Sequence, residues 1–175
     1  MTDAFEKDFK DFLENLELRC TRARDSQFEC AGNWDKANRR LGLLAVVFGV
    51  VGGGSAAGSA TLGTSWSIPL VAVLSTMAGM LAAANTFLKP SDREKAHKQA
   101  GDGWSSLRDR VKKLGELDCC PTRTHESLLE DLDKLLEEKR KVTESSPVIP
   151  TRIYNKVARR LDKEKRKAEA RVRAA

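Results

Sequence analysis

The residues best suited to chemistry are the adjacent Cys119 and Cys120, together with His97 and His125, because thiolate and imidazole are zinc ligands. Zinc sites space each ligand pair by a few residues, as in Cys-x2-Cys, and no such spacing occurs here, so neither a metal nor any other cofactor is expected. Cys20 and Cys30 are the remaining thiols and read as reduced, structural cysteines. A phosphate-cradling glycine loop after a strand, a P-loop, a His-Glu-x-x-His pair and a Gly-x-Ser-x-Gly elbow are all missing, and neither histidine has a Ser or Cys partner at a recognisable spacing. No catalytic residue is assigned, and no enzymatic activity is expected.

The elements that would have to position any site are set by charge. The chain has 175 residues, with 31 Lys or Arg and 25 Asp or Glu. None of those charges falls between Leu41 and Leu88, so about 44 % of the residues outside that 48-residue window are charged. Soluble domains interleave apolar and polar residues periodically rather than collecting them in one block. The block also excludes full disorder.

A bilayer core of roughly 30 Å needs about 20 apolar residues in helix. Residues 41–62 supply 22 and residues 68–88 supply 21, separated by Gly63, Thr64, Ser65, Trp66 and Ser67, with Pro69 just beyond. Gly and Pro punctuate, and the amphipathic Trp66 ring suits the headgroup level. The expected fold class is therefore all-α: a two-transmembrane helical hairpin with flanking amphipathic cytoplasmic helices. Positions 1–40 carry 8 basic and 9 acidic residues ahead of any apolar run, which does not read as a secretory signal. Arg39 and Arg40 precede the first span, Lys89, Arg93 and Lys95 follow the second, and the turn is uncharged. The positive-inside rule then places both termini in the cytoplasm of a multi-pass protein of the cell (inner) membrane. Cysteines in that compartment stay reduced.

The spans are rich in small residues. Gly49 and Gly53, Gly54 and Gly58, and the series Ser75, Gly79, Ala83 all repeat at four-residue spacing. In lipid, close backbone approach through such residues drives helix association. They cover several sides of the first span, whereas a hairpin offers each helix one partner face, so a homo-oligomer is expected; the alternative is that lipid covers the remaining sides. No ionisable residue lies at membrane depth, which argues against proton relays, voltage sensors and ion-coupled transport. A weakly selective pore stays open, lined by Ser55, Ser59 and Asn85. Hydroxyls there can equally bond within their own helix.

Three segments follow from this pattern. Residues 1–33 form an amphipathic helical segment marked by Phe5, Phe9, Phe12, Leu13 and Leu16, and residues 34–158 form a two-span effector domain. Trp34, Ala37 and Leu41 lead into the first span in line for one continuous helix. Within the effector domain, cytoplasmic helices are expected over about 91–117 and 124–142. The first of these should start at a capping box, with Ser91 at N-cap and Glu94 at N3. It should carry Ala96, Ala100, Trp104, Leu107, Val111 and Leu114 on one stripe. The second shows Leu128, Leu129, Leu132, Leu135 and Leu136, and both stripes read as packing faces of a helical bundle.

Residues 156–175 form a basic tail. From Arg152 to Arg173 there are ten basic residues against three acidic ones. Such a run can lie on anionic headgroups at roughly 1 kcal/mol per nearby charge, or simply be solvated. Nucleic acid is disfavoured as a partner, since Tyr154 is the one aromatic residue after Trp104 and stacking platforms are missing.

The order of features resembles the SLATT family, the two-transmembrane effector domains associated with SMODS and SLOG proteins of prokaryotic nucleotide-signalling conflict systems. The resemblance rests on Trp34 and Arg39-Arg40 ahead of the hairpin and its exit through Asn85-Thr86-Phe87-Leu88-Lys89-Pro90. It continues through His97, Ala100-Gly101 and Trp104 to the late Pro147-Val148-Ile149-Pro150 element and Tyr154. It implies a membrane effector that forms pores or perturbs the bilayer and drives cell death or dormancy in antiphage defence. It also implies structural duties for Trp34, Phe87, Pro90, His97, Trp104, Pro147, Pro150 and Tyr154. This chain departs from the pattern in its glycine-rich first span and basic tail. It carries no fused sensor, so a separate sensor or nucleotide-synthase protein is the implied partner beside the lipid bilayer. A membrane-anchored adaptor without pore activity is the alternative.

Overall fold

The computed structural model describes the backbone of residues 2–62, 67–117 and 125–174 and the side chains of residues 7–51, 71–116 and 126–173. The described residues are all-α: α1 Thr2–Leu62, α2 Ser67–Leu88, α3 Pro90–Leu117, α4 His125–Ser145 and α5 Thr151–Ala174. They divide into two units, one built from Met1–Ala31 with Lys95–Ala175, the other from Gly32–Glu94.

The first unit is a helical bundle whose core follows from heptad-like spacing. On α1 the inward positions are Phe9, Leu13, Leu16, Cys20, Ala23, Gln27 and Cys30, alternately four and three residues apart. That rhythm keeps one seam facing its neighbours along the helix. Trp104, Leu107, Val111 and Leu114 of α3 and Leu128 and Leu135 of α4 join the same cluster. Val157 of α5 is 1 % exposed.

Two local expectations are corrected. The buried stripe of α3 passes through His97 and Gly101, while Ala96 is exposed. Gly101 takes the inward place because a Cβ there would stand 2.9 Å from the Phe28 ring, so only glycine lets that ring approach. His97 is inward because it has a buried polar partner on α1, described below. The start of α3 also differs from a capping box. The carbonyl of Lys89 accepts from the amides of Asp92 and Arg93 at 3.0 and 3.2 Å, so Lys89 is the N-cap and Pro90 the first helical residue. Proline fits there because its missing N–H would have had no intrahelical partner. Lys89 has φ 43°, the left-handed region where a non-glycine residue is strained. That twist closes the Lys89 N–H onto the carbonyl of Asn85 at 3.1 Å.

The junction between α4 and α5 is similarly explicit. Pro147 and Pro150 prevent helix continuation. The carbonyl of Pro150 then accepts from Ile153 and Tyr154 at 2.9 and 3.2 Å to begin α5. The basic tail is thus part of a helix.

The second unit contains the C-terminal part of α1 and all of α2. Along α2 the less exposed described positions are Val71, Leu74, Ala78, Leu81, Ala84, Asn85 and Leu88, the spacing of a helix–helix seam. On α1 the corresponding set between residues 41 and 51 is Leu41, Gly42, Ala45 and Phe48. Thr76 and Thr86 bond the carbonyls of Ala72 and Ala82 at 2.7 and 3.0 Å, which satisfies their hydroxyls within α2.

Candidate functional site

Unit by unit, the helices position two features with functional content. The first, in residues 32–94, is an apolar surface left exposed among the described residues. Leu43, Val46 and Val50 of α1 are 66 %, 62 % and 69 % exposed, and Met80 and Phe87 of α2 are 66 % and 86 % exposed. Among the described residues one helical run, starting at Val71, is long and apolar enough to cross a membrane, and none of its 18-residue apolar window is buried.

The small residues belong to this uncovered surface. Ser75, Gly79 and Ala83 are exposed along α2, and Gly49 is exposed on α1. A Cβ placed on Gly49 or Gly79 would meet no atom within 4 Å. Gly49, Ser75, Gly79 and Ala83 therefore lie off the less exposed face that runs through Leu41, Ala45 and Phe48 of α1 and Leu74, Ala78, Leu81 and Asn85 of α2. The side chains of Gly53, Gly54, Ser55, Gly58 and Ser59 and all of Trp66 lie outside the described residues. Asn85 is half-buried on the seam side of α2, and its Oδ1 is buried with no hydrogen-bond partner among the described residues.

Around this surface stand the charged and aromatic residues singled out from sequence. Arg39 pairs with Asp35 at 2.9 Å, one turn back on α1, and Arg40 and Lys89 are exposed. The guanidinium of Arg93 lies 4.9 Å from the Trp34 ring centroid, so Trp34 carries a cation–π contact. Pro90 is buried.

The second feature, in the bundle, is a buried polar relay. The Gln27 Nε2 donates to the carbonyl of Pro147 at 3.1 Å, and its Oε1 lies 2.6 Å from Nδ1 of His97. Since the amide nitrogen is committed to Pro147, the oxygen accepts and His97 Nδ1 carries the proton. Gln27 and His97 are 1 % and 6 % exposed. Nearby, Trp104 Nε1 donates to Ser146 Oγ at 3.2 Å, and Ser146 Oγ donates to the Val142 carbonyl at 2.6 Å. The 146–150 segment is thus fastened to α1 and α3 by two side-chain bonds, while Val148 within it is 91 % exposed and Tyr154 beyond it 39 %. Sequence reading singled out His97, Trp104 and Pro147 but missed Gln27. Continuing the four-three rhythm of Phe9, Leu13, Leu16, Cys20 and Ala23 would have placed Gln27 inside.

Among the described residues, the free thiols of Cys20 and Cys30 are buried. Burial pushes the Cys20 thiol up to about 11, the nearby Lys139 ammonium working against that rise and Glu17 with it. Burial also raises Cys30, helped by the adjacent Glu29 carboxylate. Reactive cysteines show the opposite shift. The side chains of Cys119, Cys120 and His125 lie outside the described residues. Among the described residues, no three His, Cys, Asp or Glu side chains are grouped to hold a metal ion.

No protein-family model matches this chain, and neither a curated protein nor a solved structure matches it.

Proposed function

We propose that the chain is a membrane effector: both apolar helices enter the bilayer as a two-span hairpin, and copies associate to form a pore or disrupt the membrane. The observation that carries this reading is the uncovered apolar surface of residues 32–94. Ten large apolar side chains there, from Leu43 to Phe87, are at least 42 % exposed. Burying one such side chain fully is worth about 1.5–3 kcal/mol, so leaving ten of them in water forgoes on the order of 10 kcal/mol. That is comparable with the whole stability of an ordinary domain. A core helix of a soluble protein would be buried by its own chain; this one is not.

Association is supported by the same surface. Gly49 and Gly79 have open space above them and Ser75 and Ala83 are exposed, which suits close approach of a second copy in lipid. The absence of ionisable residues from 41 to 88 favours an unselective passage or bilayer disruption over coupled transport. Both termini lie in the cytoplasm of the cell membrane in this reading. The trigger is a separate sensor or nucleotide-synthase protein, as the resemblance to antiphage effectors implies, and the outcome is death or dormancy of the cell.

Dye release from liposomes by the purified chain tests the proposal. Wild type should release dye, and Gly49→Leu with Gly79→Leu should not, although neither leucine meets an obstacle within the chain. Intact liposomes with wild type, and unimpaired cells at high expression, would contradict it. A second reading, a membrane-anchored adaptor, is favoured by Leu129 and Leu136, which are 42 % and 37 % exposed on α4 as a face for a partner. That reading requires the glycine variants to behave as wild type.

A further inference from the structure

Helix α5 is docked by one side only. Its Val157 is buried and its Ile153 and Leu161 are half-buried. Lys156 reaches Glu29 at 2.5 Å, Arg160 reaches Asp25 at 3.1 Å, and Asp162 receives Arg22 at 2.7 Å. These contacts lay α5 antiparallel along α1.

On another side of the same helix lies a row that none of these contacts uses. Arg152, Arg159, Lys163, Arg166 and Arg173 follow one another at intervals of seven, four, three and seven residues. At about 100° per residue they share an arc of roughly 80°, and at 1.5 Å per residue they run for about 31 Å. All five are exposed, and none has a carboxylate partner among the described residues.

We infer that this row on α5 binds the phosphate backbone of double-stranded nucleic acid, without reading its sequence. The chemistry is charge complementarity with a linear polyanion. Four of the five are arginines, whose planar fork takes two phosphate oxygens at once. A bilayer surface offers phosphates too, but a basic helix bound there sinks its apolar face into the headgroup boundary. Here that face is occupied at Val157 by the bundle. Single strands are held largely by base stacking on aromatic rings, and no aromatic residue follows Tyr154. Duplex backbone needs no such platform. The inference does not depend on whether residues 41–88 enter a membrane.

The test is fluorescence anisotropy of a labelled, random-sequence DNA duplex of about 24 base pairs, titrated with the full chain in a neutral detergent from about 50 to 300 mM salt. Each phosphate contact contributes about −0.9 to the slope of log K on log salt, so the five-residue row predicts a slope of about −4.5. Arg159→Gln, Lys163→Gln and Arg166→Gln together should shrink that slope by about 2.7. All three are exposed, and retained helicity by circular dichroism confirms the fold. Lys112→Gln with Lys113→Gln, exposed on α3, should leave the slope as it was. Absence of binding at the lowest salt, or a slope the triple variant does not change, would overturn the inference. So would trypsin protection of residues 159–173 that appears when phosphatidylglycerol is added to neutral nanodiscs but not when duplex is added, which would assign the row to lipid.

Discussion

Gln27 and His97, seventy positions apart, meet at 2.6 Å inside the bundle, and the same glutamine holds the carbonyl of Pro147. One side chain thereby ties α1 to α3 and to the segment ahead of α5. Buried polar groups of this kind specify a unique arrangement when every member is satisfied and weaken it when one is not.

Gln27→Leu should therefore cost more than a surface substitution. It strands the buried His97 Nδ1 proton, at a cost of about 1–3 kcal/mol, and removes the bond to the half-buried Pro147 carbonyl. A loss of about 3 kcal/mol in denaturant unfolding is expected, with Val157 and the rest of α5 loosening first by hydrogen exchange. Unchanged stability would show that the relay is incidental.

Gly101→Ala should destabilise through contact with the Phe28 ring rather than through helix propensity, which alanine improves. Overpacking of this kind costs about 1–3 kcal/mol. Phe28→Leu in the same chain should recover most of the loss, because the atoms at 2.9 Å belong to that ring. A double-mutant cycle with no coupling would place the effect elsewhere.

Lys89→Gly should stabilise by about 1 kcal/mol. At φ 43° the lysine is strained and glycine is not, and this relief outweighs the extra freedom glycine gives the unfolded chain. The melting temperature in detergent should rise, whereas Pro90→Ala should not raise it.

Alkaline pH should destabilise the bundle through Cys20. Its thiol titrates near 11 in the folded chain, raised above the ordinary cysteine value of 9.0 by burial. Because the folded pKa is the higher one, stability is fully present below about pH 9 and falls as pH rises towards 11. The loss is about 2–3 kcal/mol at most, at 1.36 kcal/mol per pH unit. Cys20→Ala should flatten that alkaline slope, and a thiol reagent should leave native Cys20 unmodified near pH 7.

Much of this architecture was legible in the sequence, for reasons that particular residues show. The break from Gly63 to Ser67 anticipates the end of α1 at Leu62, and the edge of the charge-free window anticipates the end of α2 at Leu88, because glycine punctuation and the return of charge are both plain in the sequence. Trp104, Leu107, Val111 and Leu114 announce the inner face of α3 by spacing alone. Its first turns were not legible, since alanine at positions 96 and 100 mimics an apolar stripe while the packing selects His97 and Gly101. Ser91 and Glu94 satisfy a capping pattern, yet Pro90 in the first turn moves the N-cap back to Lys89. The outward direction of Gly49 and Gly79 was open as well, because small residues suit either a tight intrachain seam or an interface between chains. Nor could Gln27 be paired with His97 before the helices were placed side by side.

In the proposed reading, residues 41–88 belong in hydrocarbon. Flotation of the full chain with liposomes through a sucrose gradient at alkaline carbonate pH measures this directly. The protein should rise with the lipid and stay there after the wash. A chain that remains at the bottom as a monodisperse monomer, without detergent, would contradict it.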